Sequence, residues 1–187
     1  MPVASQAPAS GTTRDGPHKP VPNKAEIFEI EANKSDVYPA PQPSRGKPWI
    51  WYAPTIKGDV IIVKHQAYFD AFMNAGVAIA GFDLGELGGA PASTARFTLF
   101  YNAMVQRGYS AEPILLGQSR GGLMTLAWAF RHPEKVRAWA GIYLDCNLTS
   151  WPLKFSKKDT LDDFALTEEA LLLTALPLTT PSTRLSG

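Results

Sequence analysis

From residue 48 onward, apolar runs of strand length alternate with apolar stripes at helical spacing. Residues 48–52 (PWIWY) predict a strand rich in β-favouring aromatics. Residues 59–63 predict either a short strand or part of a loop. A helix is expected over 65–75, with Tyr68, Ala71, Phe72 and Ala75 on its buried face and Gly76 as its stop. Residues 77–82 (VAIAGF) form a continuous apolar run, the pattern of a strand covered on both faces. A loop at 85–90 follows, and Ser93 is placed to cap a helix reaching Arg107. Phe97, Phe100, Tyr101, Met104 and Val105 make its buried stripe, and Gly108 ends it. Residues 113–116 (PILL) predict the next buried strand. Residues 121–131 (GGLMTLAWAFR) predict a helix apolar almost all round, hence central. Residues 138–144 (AWAGIYL) predict one more strand, and Thr167 opens a last helix that Pro177 stops. Strands alternating with helices at this spacing predict an α/β fold with a mostly parallel sheet and flanking helices.

Composition changes the picture at the amino-terminal end. Nine of the 16 Pro lie in residues 1–48, whereas all five Trp lie in 49–151. Residues 1–24 are rich in Pro, Ala, Ser and Thr and hold too little apolar surface to offset ordering entropy, so they predict a disordered arm. Residues 25–31 (AEIFEIE) alternate with period two, as a strand does, and Pro39, Pro41 and Pro43 suggest an extended linker. One domain is therefore expected over 25–187.

Charge and cysteine content narrow the function classes. The 187 residues carry 18 Lys and Arg against 17 Asp and Glu, a net charge of +1, which gives no reason to expect a nucleic-acid partner. No apolar run approaches the roughly 18 residues of a membrane helix, and no secretory signal pattern opens the chain. A cytoplasmic location without membrane contact is the expectation. The single Cys146 forms no internal disulfide, and no Cys cluster offers a zinc site, so neither metal nor cofactor is expected.

The chemistry concentrates at Gly117-Gln118-Ser119-Arg120-Gly121, between a predicted buried strand and a predicted buried helix. This is G-x-S-x-G in a strand–turn–helix context. The turn is tight enough to force Ser119 into strained backbone angles, and glycines at 117 and 121 remove the collisions that side chains would make. The helix amino terminus below favours developing negative charge, and the Arg120 N–H can donate to an oxyanion. Gly122 adds room for close helix–sheet packing. No G-K-[ST] follows, so the motif is not a phosphate loop. The loop at 85–89 follows a strand, but no helix begins on it, which argues against a dinucleotide site.

Residues 48–151 resemble the α/β-hydrolases, in particular their bacterial serine esterase-like branch. The resemblance rests on PWIWYAPT, AGVAIAGFDLGE, LLGQSRGGLMTLAWAFRHPEKV and AGIYLDCNLTSWP, a little over half of the chain. It implies a serine hydrolase acting on carboxylic esters, lactones or thioesters. Ser119 is then the nucleophile and Arg120 supplies one oxyanion amide. The other comes from the loop after PWIWY, from Ala53 or Thr55, because Pro54 has no N–H. Asp145, ending the 138–144 strand, is where some members place the acid; Asp159, Asp162 and Asp163 look like a solvated helix start. Asp83 and Glu86 end the VAIAGF strand near the expected pocket, where they either contact substrate or stabilise the loop. Trp51, Tyr52 and Trp151 suggest an apolar acyl or alcohol site.

The family order places a histidine after the acid. Here the only later histidine is His132, at the far end of the predicted 121–131 helix, roughly 15 Å or more from Ser119 at 1.5 Å per residue. A structural role at the helix end is expected of it. His65 reads as a helix-capping or solvent-facing residue, and His18 falls in the arm. The resemblance thus implies an incomplete fold that stops before the last strands. An open sheet edge and self-association through it follow as expectations. The alternative is a non-catalytic protein of the same fold that binds a ligand or partner; a nucleotide-binding fold is the third reading.

Overall fold

The computed structural model describes residues 25–53, 65–85, 88–144, 146, 148, 152–155 and 157–171. Six strands form one mixed sheet: β1 (Glu26–Ile30), β2 (Asn33–Tyr38), β3 (Trp49–Ala53), β4 (Ala78–Phe82), β5 (Ile114–Gln118) and β6 (Ala138–Ile142). Their order in space is β1-β2-β4-β3-β5-β6. The pairs β3–β4, β3–β5 and β5–β6 are parallel, and β1–β2 and β2–β4 are antiparallel. The helices are α1 (Gln66–Asn74), α2 (Pro91–Gln106), α3 (Gly121–Arg131), α4 (Pro152–Phe155) and α5 (Lys157–Phe164). Among the described residues, no helix is long and apolar enough to cross a membrane.

The period of two along each strand divides the core between the sheet's faces. On one face Trp49, Trp51 and Leu115 meet Phe97, Phe100 and Met104 of α2 and Met124 and Trp128 of α3. Trp51 is the hub: its ring lies 5.1 Å from Phe97, 5.1 Å from Phe100 and 5.0 Å from Trp128. It is core, and the expectation that it lines an acyl site does not hold. On the other face Ile50, Tyr52, Ile79 and Leu116 meet Phe69 and Met73 of α1.

Four local readings need correction. The buried face of α1 is Phe69, Asp70 and Met73, whereas Tyr68 and Phe72 are exposed. The sequence carries two overlapping apolar stripes there, and the one through Phe69 and Met73 takes the core, packed on Tyr52. Asp70 tolerates burial because the Gln66 side-chain amide donates to it at 2.8 Å. The second correction is the start of α2, which begins at Pro91 rather than after Ser93. Proline's fixed φ suits the first helical position, and the Ser93 hydroxyl donates back to the Ala90 carbonyl at 2.7 Å.

The third is β2, which the polar sequence NKSDVY does not announce. It forms because Glu31 and Ala32, at φ 49° and 63°, close a two-residue hairpin that pairs Ile30 with Asn33. Both loop residues are left-handed, as in the primed turns that match strand twist, but without the usual Asn-Gly. The fourth is α4, a short helix in residues to which the sequence reading gives no element. At the last helix, Thr167 does cap: its hydroxyl accepts from the Ala170 N–H at 3.3 Å. The 59–63 reading lies outside the described residues.

Candidate functional site

β5 ends at Gln118 and α3 begins at Gly121, so two residues make the turn between them. Ser119 takes φ 51°, in the left-handed region, and Arg120 is already helical at φ −65°, ψ −27°. Serine gains nothing sterically from such a backbone; its Cβ is crowded there. The surroundings hold it. The Ser119 N–H donates to the Ile142 carbonyl of β6 at 2.8 Å, and its carbonyl accepts from the Gly122 N–H at 3.0 Å. The turn is thus tied to the neighbouring strand on one side and to the helix on the other.

Close approach of helix and sheet requires glycine at two positions. A Cβ on Gly117 would lie 2.5 Å from the Gly122 Cα and 2.7 Å from the Thr125 Oγ1. A Cβ on Gly122 would lie 2.4 Å from a methyl of Leu144. The tight contact therefore joins Gly117 and Gly122, while Gly121 is the buried first residue of α3. Thr125 fastens the same corner: its hydroxyl donates to the Gly121 carbonyl at 3.0 Å and accepts from the Trp139 indole of β6 at 3.1 Å.

Of the two oxyanion candidates after β3, Ala53 ends the strand and pairs in register with Gly117. It sits beside the strand end that carries Ser119. Thr55 lies outside the described residues, as do Asp145, Glu86 and Trp151. Asp83 stabilises its loop: its carboxylate accepts from the Gly85 N–H at 3.1 Å, and its own N–H donates to the Lys34 carbonyl at 2.9 Å. Asp159 and Asp162 belong to α5, and Asp162 pairs with Lys158 at 2.6 Å.

His132 caps the far end of α3, packed 4.8 Å from the Trp128 ring with its Nε2 3.4 Å from the Thr98 hydroxyl. Burial, with the Lys135 ammonium next, holds its pKa below the ordinary value. Its place is structural, as its position in the sequence suggests. His65 departs from expectation. It precedes α1 but makes no side-chain cap, and it is only 6% exposed. Its Nδ1 lies 3.1 Å from the Tyr52 hydroxyl, which in turn donates to the Gln118 carboxamide oxygen. Burial pushes the Tyr52 phenol well above its ordinary pKa, so it keeps its proton. This chain ends beside Ser119, and one signal for it was visible: a glutamine closing an otherwise apolar strand. Among the described residues, no group of three or more His, Cys, Asp or Glu is placed to hold a metal.

No protein-family model matches the sequence, and no curated protein matches it. Solved structures match its fold. One is a lipase/esterase from Lactobacillus plantarum, with a TM-score of 0.55 at 13% identity, covering 76% of this chain and 68% of that one. Another is a puromycin-hydrolyzing peptidase from Mycobacterium tuberculosis, with a TM-score of 0.53 at 15% identity, covering 75% of this chain and 25% of that one. A third is Est1E from Butyrivibrio proteoclasticus, with a TM-score of 0.50 at 13% identity, covering 62% of this chain and 48% of that one. The chain spans a quarter of the peptidase and about half of Est1E. Its fold is that of the α/β-hydrolases.

Proposed function

We propose that the chain is a serine hydrolase acting on carboxylic esters, with Ser119 as its nucleophile. One observation carries the reading: a non-glycine residue held at φ 51° between a buried strand and a buried helix, in the sequence G-x-S-x-G. Strain of this kind persists only where the surroundings enforce it, and such positions cluster at reactive sites. In this reading the Ser119 Oγ adds to the ester carbonyl carbon and yields its proton to a base. The carbonyl oxygen becomes an oxyanion facing the Arg120 N–H and the N–H of Ala53 or Thr55. Loss of the alcohol leaves an acyl-serine, which water then hydrolyses. Asp145 is the acid that the resemblance offers. His132 does not serve as the base, since α3 separates it from Ser119.

Oxyanion donors and substrate binding alone retain a rate about 10³–10⁴ over water when a triad member is missing. Slow chemistry is therefore the expected baseline. The test is labelling with a fluorophosphonate probe, with the adduct located by mass spectrometry and folding checked by circular dichroism. The expected result is one adduct on Ser119, absent from Ser119→Ala. A folded chain that takes no label at Ser119 over hours overturns the reading.

A further inference from the structure

A cavity of about 510 Å³ opens between α1 and the β5–β6 edge, on the sheet face opposite α3. Its volume falls within the roughly 300–1,000 Å³ of small-molecule sites. Leu116 and Ile142 contribute apolar wall, and Tyr68, Phe72 and Tyr143 surround it. These three are among the exposed large hydrophobic side chains of the molecule, Tyr143 at 81% and Tyr68 at 59%. Aromatic rings gathered around one hollow offer flat apolar contact at little conformational cost. The described residues lining it include no charged side chain, which favours a neutral occupant. Ser119 is not among them.

Two polar side chains, His65 and Gln118, line the cavity, and His65 is more than nine-tenths buried. With the Gln118 carboxamide assigned oxygen toward Tyr52, proton counting sets the tautomer of His65. Tyr52 has one hydroxyl proton, and it goes to the Gln118 oxygen. The 3.1 Å contact to His65 Nδ1 must then be a donation from the imidazole to the phenol oxygen. A neutral ring with its proton on Nδ1 carries a lone pair on Nε2. Among the described residues Nε2 has no hydrogen-bond partner, while the ring itself lines the cavity.

We infer that this cavity is a binding site for a neutral aromatic molecule bearing a hydroxyl or N–H donor, with His65 Nε2 as the acceptor. Tyr68 and Phe72 flank the aromatic body, and the donor reaches inward to the imidazole. Tyr52 acts through His65, holding the tautomer that presents the acceptor. An aliphatic ligand would meet the walls but leave Nε2 unanswered, and an anion would face its lone pair.

The experiment titrates the full chain with 2-naphthol and with 2-methoxynaphthalene, which has the same rings and no donor. Saturable binding of 2-naphthol, at least about fivefold tighter than the ether, is expected for one added hydrogen bond. In His65→Leu, checked for folding by circular dichroism, that preference falls to about one. Tyr68→Ala, an exposed helix position that tolerates alanine, weakens both probes together and keeps the preference. Equal affinity of the two probes overturns the proposal. So does a preference that survives His65→Leu, an unchanged affinity in Tyr68→Ala, or no saturable binding, the result expected if another part of the chain or a second copy fills the cavity. None of these outcomes depends on Ser119 chemistry.

Discussion

Ser119 holds a backbone that costs an L-residue with a Cβ about 1–2 kcal/mol. Replacing it therefore has opposite effects depending on the replacement. Ser119→Gly releases the strain, whereas Ser119→Ala removes the hydroxyl and keeps it. Urea unfolding is expected to find Ser119→Gly the more stable of the two by about 1 kcal/mol. Equal stabilities would mean that the turn relaxes once the hydroxyl is gone. The need for glycine at 117 was legible, because only a tight turn explains G-x-S-x-G between two apolar runs. Its counterpart in space, Gly122, read merely as extra room, yet its Cα would lie 2.5 Å from a Cβ placed on Gly117. Of the His65–Tyr52–Gln118 chain only the glutamine closing β5 was legible. It joins the residue before α1 to β3 and β5, and no spacing along the sequence encodes that meeting.

At the scale of elements, the continuous apolar runs translated directly: β3, β4 and β5 are strands covered on both faces, as VAIAGF and PILL predicted. Periodicity was weaker where two stripes compete on one helix. In α1 the stripe through Tyr68 and Phe72 and the stripe through Phe69 and Met73 differ by one residue, about 100° of rotation. Packing on Tyr52, with ring centroids 5.0 Å from Phe69, decides between them. Phe69→Ala is thus expected to cost about 3–5 kcal/mol, and Phe72→Ala no more than about 1 kcal/mol, in denaturant unfolding. The reverse order would put the helix in the other rotation. β2 escaped notice for a different reason. Ser35 and Asp36 are buried polar residues in its middle, so its hydrophobic pattern is erased where a strand should show it most.

For the molecule as a whole, alternation of strands and helices was enough to foresee the parallel centre of the sheet, but not the antiparallel β1–β2 addition at its margin. The two margins differ in chemistry. β1 carries Glu26 and Glu29, exposed charges that discourage another strand from pairing. β6 reads AWAGI, with no charge and no proline, and pairs only with β5 among the described strands. Sedimentation velocity is expected to show association that rises with concentration and that Ala138→Lys, at an exposed edge position, suppresses. A monomer at all concentrations would show that the β6 edge is covered. The position of β3 has a consequence of another kind, for synthesis. Its two neighbours, β4 and β5, and the helices that cover Trp49 and Trp51 all come later in the chain. At roughly 5–20 residues per second, the ribosome needs about 4–15 s to travel from Trp51 to Trp128. Until α3 follows β4 and α2, the cover over the most aromatic strand of the protein is incomplete. Apolar surface exposed in this way is prone to aggregate, so a chaperone that holds this stretch is expected to raise the yield in a cell.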